Sequence, residues 1–139
     1  MKKRIICLLV LALFIFSNTA FATNWVFAYE LLNIGDKTYI DSDSAIKFDG
    51  KLVFWELSIK KEPEFDIVKA MRKIEATLKQ PREYQPVEVY YYYTDGREEK
   101  SSGRLWGGDV PAGSYIDKAI NVALKYAKEG KDTGVKPKP

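Results

Sequence analysis

Ile46-Lys47-Phe48-Asp49-Gly50-Lys51-Leu52-Val53-Phe54-Trp55-Glu56-Leu57-Ser58-Ile59 consists of two strand-like runs joined by Asp-Gly. Branched and aromatic side chains favour an extended, half-buried backbone. A two-residue link needs positive φ at both central positions, which glycine accepts without steric cost. Asp-Gly between such runs is therefore the strongest local sign of a tight hairpin. Trp55 follows three apolar residues, and we expect it to be buried against the apolar stripe of a helix described below.

Working outward, Trp25, Phe27 and Tyr29 alternate with Asn24, Val26 and Ala28, the period of a strand. Asn33-Ile34-Gly35-Asp36 is a turn cluster, and Lys37 to Asp41 resumes as a short strand. A second Asp-Gly, Asp95-Gly96, lies between strand-like runs over 86–94 and 97–101. Alternation places Val87, Val89, Tyr91 and Tyr93 on one face, assigned to the core. Tyr90 and Tyr92 then fall on the other, open face, as candidate partner-binding residues. Over 66–80 two periods compete. Ile67, Met71, Ile74 and Leu78 recur at helical spacing, whereas Ile74, Ala76 and Leu78 alternate with polar residues as in a strand.

Ser114-Tyr115-Ile116-Asp117 is a capping-box variant: a hydroxyl at the cap and a carboxylate three residues on satisfy free N–H groups. Ile116, Ala119, Ile120, Ala123, Leu124 and Ala127 then form one apolar stripe, with Gly130 as the expected stop. The fold class that follows is α+β, an antiparallel sheet of about six strands with one C-terminal helix packed on it. The expected organisation is a signal peptide over 1–22, one domain over 23–129 and a disordered tail over 130–139, where apolar periodicity stops.

The leader reading rests on Lys2, Lys3 and Arg4, the twelve-residue apolar run Ile5 to Phe16, and Ala20-Phe21-Ala22. A basic head, a short apolar core and small residues before the cut are what export and cleavage need. An α-helical span needs about 20 residues. Three of the 22 basic residues lie in this leader, so the remainder balances the 19 acidic ones. No general electrostatic attraction to nucleic acid or to an anionic membrane is expected. The single cysteine, Cys7, lies inside the leader and does not follow the cut, so no lipid anchor is expected. The expected localisation is exported: periplasm, secreted or cell surface.

The sequence has no histidine. With Cys7 removed, neither a Ser-His nor a Cys-His nucleophile pair is available, and the usual zinc ligands are missing. Gly103, Gly107 and Gly108 lack the spacing of a phosphate-cradling loop. Asp41-Ser42-Asp43-Ser44 reads as a polar turn whose side chains bond their own backbone. No catalytic residue, metal site or cofactor is expected, and the chain is read as a non-enzyme.

Several features in a fixed order carry a resemblance over nearly all of Trp25 to Ala127. They are Trp25 itself, Tyr39-Ile40-Asp41, Val53-Phe54-Trp55-Glu56-Leu57, Tyr93-Thr94-Asp95-Gly96, Trp106, and Val110-Pro111-Ala112-Gly113-Ser114 before the last helix. In these the chain resembles the surface-adhesin protein E family of small exported bacterial domains. The resemblance implies an antiparallel sheet with a C-terminal helix on it. It also implies a strand through 72–79 followed by a loop at 80–85. By function it implies a non-catalytic cell-envelope domain that binds host or envelope proteins, such as extracellular-matrix or serum proteins. The alternative is a periplasmic housekeeping or small-ligand-binding domain without host contact. The chain departs from the family pattern in lacking a cysteine pair and an anchoring cysteine.

Overall fold

Residues 23–139 are described by a computed structural model. The leader reading, Cys7 included, lies outside the described residues. The Asp49-Gly50 hairpin sits at the centre of the sheet. Asp49 and Gly50 both take positive φ, 51° and 73°, and join β3 (Ile46–Phe48) to β4 (Lys51–Glu64). On one edge β4 pairs with β3 and, further along, with β2 (Asp36–Asp41), which in turn pairs with β1 (Trp25–Leu31). On its other edge lies β5 (Ile67–Thr77), then β6 (Glu83–Tyr93) and β7 (Glu98–Lys100). The main path is thus β1-β2-β4-β5-β6-β7.

The contested segment is a strand, paired on both sides. Three short strands complete a nine-stranded sheet: β3, β8 (Gly108–Asp109) against β6, and β9 (Lys128–Glu129) against β3. All pairs are antiparallel except β3 with β9. The fold is α+β, with a single helix among the described residues, α1 (Tyr115–Tyr126).

Ser114 caps α1 by accepting the Asp117 backbone N–H, and the Asp117 carboxylate accepts the Gly113 N–H at 2.9 Å. The Ser114 half thus satisfies a free donor of the first turn, whereas Asp117 reaches one residue further back than a capping box requires, the Ser114 N–H bonding instead to the Pro111 carbonyl. The helix ends at Tyr126, before Gly130. Ala127 turns extended, and the backbone N–H groups of Lys128 and Gly130 bond to the Ala45 and Lys47 carbonyls of the β3 region. The chain leaves the helix here to pair with the free edge of β3, and that pairing accounts for the earlier stop.

Ala119, Ile120 and Ala123 of α1 pack on Ile40, Leu52, Phe54, Ile74 and Ala76, forming the main core. Cross-strand register gives each face its members. Phe54 opposes Ile74, and Glu56 opposes Arg72, which opposes Val89. These share the helix face, and Trp55, Leu57, Met71, Tyr90 and Tyr92 share the other.

Trp55 is buried, 2% exposed, but not against the helix. It alternates with Phe54 and so packs on the opposite face with Leu57, Met71, Trp25, Tyr90 and Tyr92. Val87 also departs from expectation. The register shifts between Lys73 and Ile74, so Val87 is the extra residue of a bulge and is exposed, while Val89 and Tyr91 return to the helix face.

Residues 131–139 have no helix or strand, yet they lie across the face opposite the helix. Asp132 pairs with Lys73, Lys136 with Glu98, and the Lys138 carbonyl accepts the Trp25 indole N–H at 2.9 Å. Composition reads only local periodicity, whereas this segment is held by a surface assembled from β1, β5, β6 and β7.

Candidate functional site

α1 covers only part of its face of the sheet. The uncovered part forms the floor of a cleft of about 650 Å³, bounded by the β4–β5 hairpin tip and by the loop after β7. On the floor the Thr38 and Ser58 hydroxyls are hydrogen-bonded at 2.9 Å, beside Tyr29, Arg72 and Tyr91. Lys60 stands at the rim, between Asp36 and Glu64 at 3.0 Å from each.

Arg72 is ion-paired to Glu56, which is wholly buried below it. Burial pushes the Glu56 carboxyl above its ordinary value against the opposing charge of Arg72. Burial, with the Glu56 charge second, also raises the Tyr29 phenol. The Thr38 and Ser58 hydroxyls thus bond each other, and the guanidinium is held by Glu56 beneath it.

The lips of the cleft are aromatic. The β4–β5 turn is a two-residue link, with Glu64 opposite Ile67, and its central residues Phe65 and Asp66 have φ of 50° and 64°. Such turns favour Asn-Gly, and a bulky residue at positive φ is an outlier. Phe65 is nonetheless 86% exposed. Trp106, 70% exposed, lines the cleft from the other side, with the Arg104 guanidinium 4.2 Å from its ring centre.

The Trp106 loop is pinned at its base. Gln85 Nε2 donates to the Leu105 carbonyl at 3.0 Å, and a Cβ at Gly107 would lie 2.1 Å from the Tyr84 carbonyl oxygen. Only glycine lets the loop lie so close to β6.

Tyr90 and Tyr92 lie on the face opposite α1, away from this cleft, and are half-buried. Lys136 Nζ stands 4.3 Å from the Tyr90 ring centre and 5.9 Å from that of Tyr92. Tyr91 lines the cleft, and Tyr93 stacks with Arg97 at 4.2 Å. The Asp41–Ser44 turn bonds its own backbone: Asp41 Oδ1 accepts the Asp43 N–H at 3.2 Å, and the Ser44 hydroxyl donates to the Asp41 carbonyl at 3.1 Å.

Sequence reasoning did not single out Phe65 or Arg72. For Phe65 a signal existed, a lone aromatic within Glu62-Pro63-Glu64-Phe65-Asp66, where turn chemistry calls for small polar residues.

The fold and the cleft define an α+β domain with a one-sided helix cover and an aromatic-lipped recess. Comparison with protein-family models, curated proteins and solved structures finds no match to the chain.

Proposed function

We propose that this chain is a non-catalytic binding domain of the bacterial cell envelope, which grips another protein at the cleft with Phe65 and Trp106 as anchors. The observation that carries this reading is Phe65, a bulky ring kept at positive φ and left in solvent. Each choice is unfavourable for the free fold, and such local strain concentrates at binding sites. Aromatic anchors dominate the energetics of protein interfaces. The resemblance to the surface-adhesin protein E family supports a protein partner, of the extracellular-matrix or serum class.

The test is adhesion of whole cells to immobilised matrix and serum proteins, comparing the intact strain, a strain lacking the protein, and one carrying Phe65→Asn with Trp106→Ala. We expect the last two strains to lose the same adhesion. Equal adhesion by all three would overturn the reading.

A second reading is favoured by the size of the cleft, which falls within the range of about 300–1,000 Å³ typical of small-molecule sites. On this reading the domain is periplasmic and holds a small ligand. Fractionation discriminates: protein confined to the soluble periplasm favours the ligand, and protein at the cell surface favours the adhesin.

A further inference from the structure

The sheet face opposite α1 carries an aromatic cluster of Trp25, Trp55, Tyr90 and Tyr92 around Leu57 and Met71. Residues 131–139 already lie on it, and their contacts share one chemistry. Proline fixes φ and drives the residue before it to extended backbone, so Lys136-Pro137-Lys138-Pro139 is pre-set straight. Pro137 is buried. The Trp25 indole N–H donates to the carbonyl of Lys138, and the Lys138 N–H donates to Thr23 Oγ1 at 3.1 Å. Lys136 lies over the Tyr90 and Tyr92 rings and pairs with Glu98.

An indole donor to a backbone carbonyl, aromatic walls and a buried proline are the means by which grooves recognise proline-bearing extended peptides. The acidic and aromatic partners of Lys136 add a preference for lysine before the proline.

We propose that this face is a recognition groove for an extended Lys-Pro segment of another protein, and that residues 131–139 are its built-in, competing occupant. The resident is lightly held, since residues 131–135, Lys138 and Pro139 are exposed and Pro137 alone is buried. The groove shares none of these residues with the cleft, so this inference stands apart from the proposed function.

The experiment uses the full chain carrying Lys136→Glu and Pro137→Gly, which frees its own segment, and a fluorescent peptide copying residues 131–139. We expect the variant to keep its far-ultraviolet dichroism and to bind the peptide saturably. The wild-type chain should bind it about tenfold more weakly or less, because a tethered competitor acts at millimolar effective concentration. A peptide with both lysines of Lys-Pro-Lys-Pro replaced by serine should bind the variant about tenfold more weakly as well, the loss of its charge-aromatic and ionic contacts.

A folded variant that shows no saturable binding at about 1 mM peptide overturns the proposal. So does binding indifferent to the lysines. A doubled mass of the wild-type chain in sedimentation, with no peptide bound by the variant, overturns it in favour of a second copy exchanging its tail. Should the double variant unfold, Lys136→Ala in the full chain carries the same comparison.

Discussion

The Glu56 carboxylate, closed off from solvent beneath the cleft floor, is ion-paired to Arg72, its direct cross-strand neighbour. The two partners are not equally placed, since the Arg72 side chain keeps about a third of its exposure (37%) and Glu56 has none. Removing one partner of a buried pair is costly chiefly because of the charge left behind.

Arg72→Leu should therefore cost about 3–5 kcal/mol, the range for stranding a buried charge. Glu56→Leu should cost less, since the Arg72 side chain left without its partner is partly exposed. Replacing both by leucine should be milder than Arg72→Leu alone, because apolar isosteres of buried pairs are often neutral. Urea melts of the three variants measure this. Burial holds the Glu56 carboxyl above its ordinary value, so the folded state binds the proton more readily than the unfolded one. The Arg72→Leu deficit should accordingly shrink as pH falls toward the ordinary carboxylate range. A Glu56→Leu cost equal to that of Arg72→Leu would place the two charges in equal burial.

Trp55→Ala should cost about 3–5 kcal/mol, as for emptying a large aromatic from a packed site. Because Trp55 packs on Tyr90 and Met71 and not on α1, the loss should also free residues 131–139. Denaturant melts give the first quantity and limited proteolysis of the segment the second. A cost below about 1 kcal/mol, the scale of surface substitutions, would put Trp55 outside the packed cluster.

Phe65→Asn should leave stability unchanged or raise it by up to about 1 kcal/mol, since asparagine tolerates the left-handed backbone of this turn. Thermal melts decide. A clear loss of stability would mean that the Phe65 ring contributes to folding, which removes the argument that it is kept for a partner.

Docking of residues 131–139 should weaken in acid. Burial alone would raise the Asp132 carboxyl, but hydrogen bonds from Lys73 and the Gly134 backbone bring it below its ordinary value. A depressed carboxyl contributes stability that is present above its ordinary pKa and is lost as pH falls through the depressed one. Tryptophan emission from Trp25 and Trp55 should report release of the segment below the ordinary carboxylate range, before global unfolding. Asp132→Asn should abolish that step. A step unchanged by Asp132→Asn would assign it to another group.

Much of the sheet is legible in the sequence because its signals are local. Asp49-Gly50 and Asp95-Gly96 mark hairpins through backbone sterics alone, and the Ser114/Asp117 box marks the helix start within four residues. Alternation also contained the correct side for Trp55. Phe54 and Trp55 are adjacent, so in a strand they cannot both face the helix, and a run buried from Leu52 to Leu57 calls for a cover on each face. That second cover was not legible, because it is the segment 131–139, whose contacts with Lys73 and Trp25 span 59 and 113 residues of chain. Nor was the cleft, which exists only because α1 is too short to roof the sheet over Ser58, Ala70 and Tyr91.

The two outermost strands of the main path bear on how the protein behaves at high concentration. β7 has only three residues, Glu98-Glu99-Lys100, all charged and all exposed. β1 breaks its ladder with a register shift between Phe27 and Tyr29. Short, charged or irregular margins are poor templates for another chain to pair with. A sheet this rich in tyrosine and valine would otherwise tend to grow strand by strand into fibrils. Short and charged at β7, irregular at β1, both margins disfavour recruitment of further copies through the backbone.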